Sequence, residues 1–368
     1  MKINKTKLVD GILAFLRSRG KRNQVKNLNK AKFELLKKSG IPINKLTSAQ
    51  KAEVDAIYKK YGYKYSYDTH IITYSVTGNF DARILPEDMY RSGLELKLND
   101  IGQKFVMSDK NYFEMYMPEV KFPDIIVRNI EGVFYDKDRN IITKEEAEEL
   151  ISEHEKVVVK PANDNGFGKG IELIETGKAK ATDCFNKNYL VQKLIIQHPS
   201  FSAFNESSVN VVRVVTMFLG GKVFHLTSAF RFGGEGSFTD NRSTKDGKGM
   251  TIVGIDEEGR LREKGYFSCG VSSEKSHSGT VFKGYEIPKF KEMVDIAIKQ
   301  HSRFPSIRII GWDFTVDKEE NVVAVEYNIK YPGVLYYQWV NGPLFGDKTE
   351  EILDEIKKLP KSEGFFKL

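Results

Sequence analysis

Three alternating glycines, Gly166, Gly168 and Gly170, separate the β-branched run Val157-Val158-Val159-Lys160-Pro161 from a second strand-like run, Ile171–Ile174. Glycine lets backbone N–H groups approach phosphate oxygens closely, and Lys160 and Lys169 add positive charge on either side of the loop. A dinucleotide fingerprint or a Walker loop needs a helix after its glycines, because the helix N-terminus meets the phosphate. Here a strand follows, so the segment reads as a lid on a β-hairpin. The plainer alternative is a hairpin with a glycine turn. Further on, Tyr189-Leu190-Val191-Gln192-Lys193-Leu194-Ile195 is an apolar strand breaking into a polar hinge. Such a hinge offers backbone groups to a base edge and apolar walls to its faces, although a buried strand has the same pattern.

A second constellation is Gly311-Trp312-Asp313-Phe314-Thr315-Val316, a tight loop, and Val322-Val323-Ala324-Val325-Glu326-Tyr327-Asn328. With a four-residue loop over 318–321, Asp317 pairs with Val322 and Asp313 faces Glu326, while Asn328 shares the face of Glu326. Carboxylates directly opposite in a sheet repel, and a hard cation converts that repulsion into binding. Asp313, Glu326 and Asn328 therefore form a candidate Mg²⁺ site; otherwise one carboxylate is protonated or pairs with Lys or Arg. Between the two constellations, Asn210 and Arg213 interrupt the apolar run Val209–Val215. An arginine placed there needs an anion, either a phosphoryl group or a structural carboxylate. Arg231 and the run Asp240-Asn241-Arg242 are weaker candidates of the same kind. His70, His154, His198, His225, His277 and His301 have no metal-ligand spacing and read as structural or surface residues.

Charge is unevenly distributed. The chain carries a net +7, yet residues 1–40 hold twelve Lys or Arg against Asp10 and Glu34. The basicity thus belongs to one tail and not to a nucleic-acid groove. Leu8, Ile12, Phe15 and Leu16 fall on one helical face of that tail, among Lys5, Lys7, Arg17, Arg19, Lys21 and Arg22. It is expected to dock on an anionic membrane face or a partner, or else to pack on its own protein. Two cysteines, Cys184 and Cys269, exclude a disulfide scaffold and a thiolate zinc site. No signal segment or membrane span is visible, so a cytoplasmic location is expected, either free or peripheral to the inner membrane face.

The spacing predicts a helix at 47–60 capped by Thr47 or Ser48, then strands and turns to about 105. A short helix at 110–117, a meander over 125–142 and a helix opened by the Thr143/Glu146 capping box follow. From 156 to 330 strands dominate, with a helix at 288–303 whose first turn holds Pro288, and a last helix spans 349–358. The class is α+β.

In this order, lid, hinge, arginine strand and metal hairpin resemble the ATP-grasp superfamily, and more narrowly its sugar-transfer-associated family. The matching stretches are Ser108–Asn111, Val159–Pro161 with Gly168–Gly170, Val191–Lys193 with Gln197–Pro199, Ser208–Asn210 with Arg213–Thr216, Asp240-Asn241, Gly284 with Ile287-Pro288, Gly311–Asp313 and Glu326–Asn328. They cover roughly residues 50–345. The resemblance implies an ATP-grasp fold holding a nucleotide between two α+β subdomains, with a helical extension at 1–45. The other expected divisions are an α/β region at 46–150, a lid subdomain at 151–195, a metal-bearing subdomain at 196–345 and a C-terminal helix at 346–368. It implies a carboxylate–amine ligase using ATP and one or two Mg²⁺ ions. Lys110 and Lys160 would hold the α- and β-phosphates, and Gly166, Gly168, Lys169 and Gly170 would cover them. Gln192, Lys193, Leu194 and Ile195 would hold adenine, with Asn210 also at the cofactor. Arg213, with Lys160 and Arg231, would act in catalysis, and Asp313, Glu326 and Asn328 would hold metal. The substrates would be a small-molecule or sugar-linked carboxylate and an amine, in polysaccharide assembly, and no nucleic acid. A kinase acting on a sugar or lipid hydroxyl and a noncatalytic nucleotide-binding assembly protein are the alternatives.

Overall fold

The computed structural model describes residues 5–99, 101–163, 170–178, 180–183, 188–240, 247–330 and 332–360, with side chains from Phe15 onward. Two antiparallel sheets organise it. The first contains β1 (Ile125–Ile130), β2 (Val133–Tyr135), β3 (Ile141–Ile142), β4 (Lys156–Pro161), β5 (Glu172–Glu175) and β6 (Tyr189–Lys193), in the order β3-β2-β1-β6-β4-β5. Its apolar side, Val127, Val157, Val159 and Val191, packs on Ala147 and Ile151 of the helix Lys144–Ser152. That helix starts where its capping box places it, with Thr143 accepting from the Glu146 amide. The sheet straddles the division expected at residue 150, because β1 from the meander pairs with β6 at the hinge.

The second sheet contains β7 (Val211–Leu219), β8 (Lys222–Gly233), β9 (Met250–Ile255), β10 (Leu261–Phe267), β11 (Ser272–Ser273), β12 (Ile309–Val316) and β13 (Val322–Asn328). Their order is β11-β10-β9-β8-β7-β12-β13. Successive side chains of a strand point to opposite faces, and here both faces are covered. Val212 and Val214 face a core with Met293 and Ala297 of the helix Phe290–His301. Val215 and Met217 face a core with Leu335 and Trp339 of the helix Leu335–Asn341. Every residue of β12 is buried as a result.

Two helical expectations needed correction, and one helix had not been expected at all. The region expected to be strand and turn up to residue 105 is helical at Asp68–Thr77, through a π-turn-containing run over 87–98, and at Ile101–Met107. Its β-branched residues mimic a strand, but Thr69, His70, Ile72 and Thr73 are buried at helical spacing, and Gly78 closes the helix at φ 76°. Pro288 precedes its helix, which starts at Phe290 after Lys289 turns through φ 61°. The helix Leu335–Asn341 had no sequence expectation.

The basic N-terminal segment is one helix, Lys5–Lys38. Val25, Asn29 and Leu36 are buried against the body. Lys32 donates to the Ser268 carbonyl at 2.5 Å and to the Tyr336 hydroxyl at 2.6 Å, and lies 4.6 Å from the Tyr336 ring centre. The C-terminal half therefore packs on its own protein.

Candidate active site

The β12–β13 hairpin places Asp313 opposite Glu326, but by a different route from the one expected. The loop spans Asp317–Asn321, closed by the Asp317 amide donating to the Asn321 carbonyl at 3.0 Å, so Val316 pairs with Val322. A one-residue bulge between the Phe314–Ala324 and Asp313–Glu326 pairs then restores the register. Asn328 Nδ2 lies 3.2 Å from both Asp313 Oδ2 and Glu326 Oε1, so the three oxygen-bearing side chains converge.

Cations enclose them. Arg213 on β7 stands beside Asp313 in the sheet and grips its carboxylate from Nε and Nη2, the latter at 2.6 Å. Arg213 Nη1 donates to the Pro332 carbonyl at 3.0 Å. Gly311 makes room for this guanidinium: a Cβ there would lie 3.1 Å from Arg213 Cδ. Arg231 on β8 donates to Asp313 Oδ2 at 3.2 Å and pairs with Asp240 at 2.6 Å. Burial pushes the Asp313 carboxyl up, but the two guanidiniums outweigh it and the net shift is downward. Burial raises Asp240 to about 6, against the pull of Arg231 and with the Asp313 charge adding to the rise.

Two lysines come from β4 and from the short 3-10 helix Lys110–Tyr112 beside it. Lys110 Nζ lies 3.9 Å from Glu326, and its amide donates to the Ala162 carbonyl at the end of β4. Lys160, on β4, is 6% exposed. Burial and the neighbouring Lys110 charge depress its pKa to about 7, with Glu326 opposing. Four cationic side chains thus meet three carboxylates, Asp313, Glu326 and Asp240, between the sheets. That balance suits added anionic charge.

At the hinge, Gln192 is buried and donates to the Pro123 carbonyl at 3.3 Å, so its amide braces β6. Lys193, Leu194 and Ile195 line an open cleft, faced by Phe122, Pro123 and Val323. Across it, Lys121 pairs with Asp317 at 2.6 Å. Asn210 stands apart from the charged groups. It is fully buried, and its amide donates to the Phe201 and Asn205 carbonyls at 2.8 and 2.7 Å. Both donors are spent on the fold, and its Oδ1 accepts from the Ser208 hydroxyl, so in this structure its side chain braces the loop before β7. Gly166, Gly168 and Lys169 lie outside the described residues. Gly170 is described, in a turn at φ 80°.

Sequence reasoning passed over Tyr337, which is buried and close enough to contribute to the charge state of both arginines. Its helix was missed, and a tyrosine in an apolar run gives no sequence signal of its own. Asp240 stands in sequence only as part of a weak run, because the turn that brings it back to Arg231 on β8 leaves no spacing signal.

A search of curated proteins finds no match. A family model described as sugar-transfer associated ATP-grasp matches residues 90–353, well over half the chain. The chain belongs to that family. Its two antiparallel sheets with flanking helices are the family's α+β ATP-grasp fold, here extended by the helix Lys5–Lys38. Among similar solved structures is biotin carboxylase from Campylobacter jejuni, at 17% identity and TM-score 0.41, covering 70% of this chain and 48% of that one. Another is VanG D-Ala:D-Ser ligase from Enterococcus faecalis, at 11% identity and TM-score 0.41, covering 68% and 61%. A third is the biotin carboxylase domain of Hydrogenobacter thermophilus 2-oxoglutarate carboxylase, solved with MgADP, at 13% identity and TM-score 0.37, covering 63% and 44%. This ATP-grasp chain therefore spans less than two thirds of the length of each.

By donor type Asp313, Glu326 and Asn328 suit a hard divalent cation, but in this structure Arg213 holds both oxygens of Asp313, so that carboxylate serves a metal only once the arginine lets go. Asp313 and Glu326 stand opposite each other in the hairpin, and Asn328 Nδ2 lies 3.2 Å from an oxygen of each, so two carboxylates are held where a cation or a proton must separate their charges. Among the described residues no three His, Cys, Asp or Glu side chains are placed to hold a metal ion together, so the amide oxygen of Asn328 is the third donor at hand. As drawn, the Asn328 amide nitrogen faces the carboxylates; O and N exchange by a simple flip of the amide.

Proposed function

We propose that this protein is an ATP- and Mg²⁺-dependent carboxylate–amine ligase. The observation that carries the reading is the gathering of Lys110, Lys160, Arg213 and Arg231 around Asp313, Glu326 and Asp240, which has one cation in excess when Lys160 is protonated. In this reading Lys110 and Lys160 hold the nucleotide phosphates, and adenine enters the cleft at Lys193–Ile195. The 166–170 segment covers the phosphates and keeps water from a reactive intermediate. Asp313, Glu326 and Asn328 hold Mg²⁺, which when bound neutralises charge on the phosphate oxygens.

A substrate carboxylate oxygen attacks the γ-phosphorus, and the bond to the ADP oxygen breaks. An amine nitrogen then attacks the acyl carbon. Inorganic phosphate leaves, the amide forms, and the amine proton passes to phosphate or solvent. Arg213 and Arg231 offer N–H groups to the anionic group in transfer, and they must loosen their hold on Asp313 to do so. Such transfer depends on positioning and charge neutralisation more than on covalent help. In this reading the carboxylate belongs to a sugar acid or an amino acid, in cell-surface polysaccharide assembly; the sugar-transfer association in the family's description is what points toward sugar chemistry. A location on the inner membrane face fits the basic N-terminal helix. Among the described residues no helix is long and apolar enough to cross a membrane.

The test is ADP release from MgATP against a matrix of uronic acids, nucleotide sugars and amino acids, each with and without an amine. Release that needs both acid and amine, with a product mass equal to the amide, is expected. A phosphorylated product with no amine requirement would replace the ligase with a kinase.

A further inference from the structure

The helix Lys5–Lys38 has two faces with different uses. Val25, Asn29 and Leu36 are buried against the body and define its docking face. Phe15 and Leu16 are 55% and 54% exposed. At 3.6 residues per turn they centre roughly 110° around the helix from the docking face. A straight helix docked through Val25 and Leu36 cannot also bury them against the same body.

The stripe that Phe15 and Leu16 begin continues with Arg19, Asn23, Lys26 and Lys30, all exposed and all within about half a turn of one another. Among the described residues no acidic side chain pairs with Arg19, Lys26 or Lys30. Spacing alone puts Leu8 and Ile12 on the same line, earlier in the chain. The helix also precedes the region matched by the family model, which starts at residue 90.

We propose that this stripe seats on an anionic lipid surface, with Phe15 and Leu16 entering the headgroup boundary and Arg19, Lys26 and Lys30 on lipid phosphates. Charge complementarity selects the occupant: twelve Lys or Arg against two acidic residues in 1–40 suit a polyanionic plane. Two half-exposed apolar side chains anchor only weakly, so the association is reversible and depends on the charges. The surface requires no turnover, so it stands or falls separately from the ligase reading.

Flotation of the full chain with vesicles tests it. Vesicles of phosphatidylcholine doped with phosphatidylglycerol bind the protein, pure phosphatidylcholine does not, and high salt releases it. The triple change Arg19→Gln, Lys26→Gln, Lys30→Gln lowers the partition coefficient about a hundredfold. The pair Phe15→Ser, Leu16→Ser lowers it about tenfold. All five residues are exposed, so the thermal midpoint of both variants stays at the wild-type value and loss of binding is not loss of fold. Equal binding to neutral and anionic vesicles overturns the proposal. So does a concentration-dependent dimer in sedimentation that the serine pair abolishes, since the occupant is then a second copy.

Discussion

Lys160 concentrates the site's chemistry in one side chain. It sits on a strand end, almost fully buried and beside Lys110, so its charged form is unfavourable until an anion arrives. In the free protein its pKa is about 7, below the unfolded value of about 10.4. Its contribution to stability therefore rises with pH between those values and is at its minimum below about 7. A bound nucleotide reverses the preference. Above pH 7, binding takes up a proton and affinity falls as pH rises. Calorimetry in two buffers of different ionisation enthalpy measures that uptake, and Lys160→Met removes it. Turnover in Lys160→Ala and Glu326→Ala is abolished while the circular dichroism spectrum is kept; a wild-type rate in either would falsify the site assignment. Arg213 illustrates the opposite case. Asp313 would be left short of its bidentate partner in Arg213→Ala, which destabilises the fold by about 3 kcal/mol in urea titration.

At the scale of elements, a buried polar chain fixes how β7, β12 and the helix Phe290–His301 meet. Trp312 Nε1 donates to Thr216 Oγ1 at 2.9 Å, and Thr216 Oγ1 lies 2.7 Å from His301 Nδ1. His301 Nε2 lies 2.7 Å from the Ile307 carbonyl, which can only accept. Nε2 therefore carries the hydrogen, Nδ1 accepts, and Thr216 donates to it. Burial lowers the His301 pKa to about 4, and that of His70 likewise to about 4. Both are neutral in the folded protein and take up protons when it unfolds below about pH 6.5. Stability is fully present above that pH and is lost as pH falls toward 4. Thr216→Val keeps the volume but orphans Trp312 Nε1 and His301 Nδ1, at a cost of roughly 2–4 kcal/mol. A denaturant midpoint unchanged in that variant would show that the chain carries no net stability.

Across the whole molecule, the two sheets build the site from opposite sides. Lys160 comes from one, with Lys110 from the short helix tied to the end of β4, and Arg213, Arg231, Asp313 and Glu326 come from the other. Motion between the sheets changes the distance between lysines and carboxylates, now 3.9 Å from Lys110 to Glu326. The N-terminal helix contributes none of these residues. Deleting residues 1–22 keeps Val25, Asn29, Lys32 and Leu36 at their docking contacts, so turnover in solution stays near wild type. A large loss of turnover with the fold intact would mean that the segment helps to form the site.

Local signals were legible where a residue's role depends on near neighbours. The Thr143/Glu146 box and the strand–glycines–strand order each involve only a few consecutive residues. The family resemblance, which the family model bears out, rests on the order of such short pieces. Tertiary structure decided what depends on partners far away in the chain. The Asp68–Thr77 helix overrides its β-branched residues because one side of it enters a core shared with Leu85 and Val215. Asp313 faces Glu326 only because a bulge offsets a loop one residue longer than spacing suggested. Arg213 finds its anion in Asp313, 100 positions away, and spacing cannot tell that carboxylate from a phosphate. Residue order determines which groups can supply charge. Which of them neutralise one another before a ligand arrives is set by burial, since the strength of a charge pair depends on the water the fold removes around it.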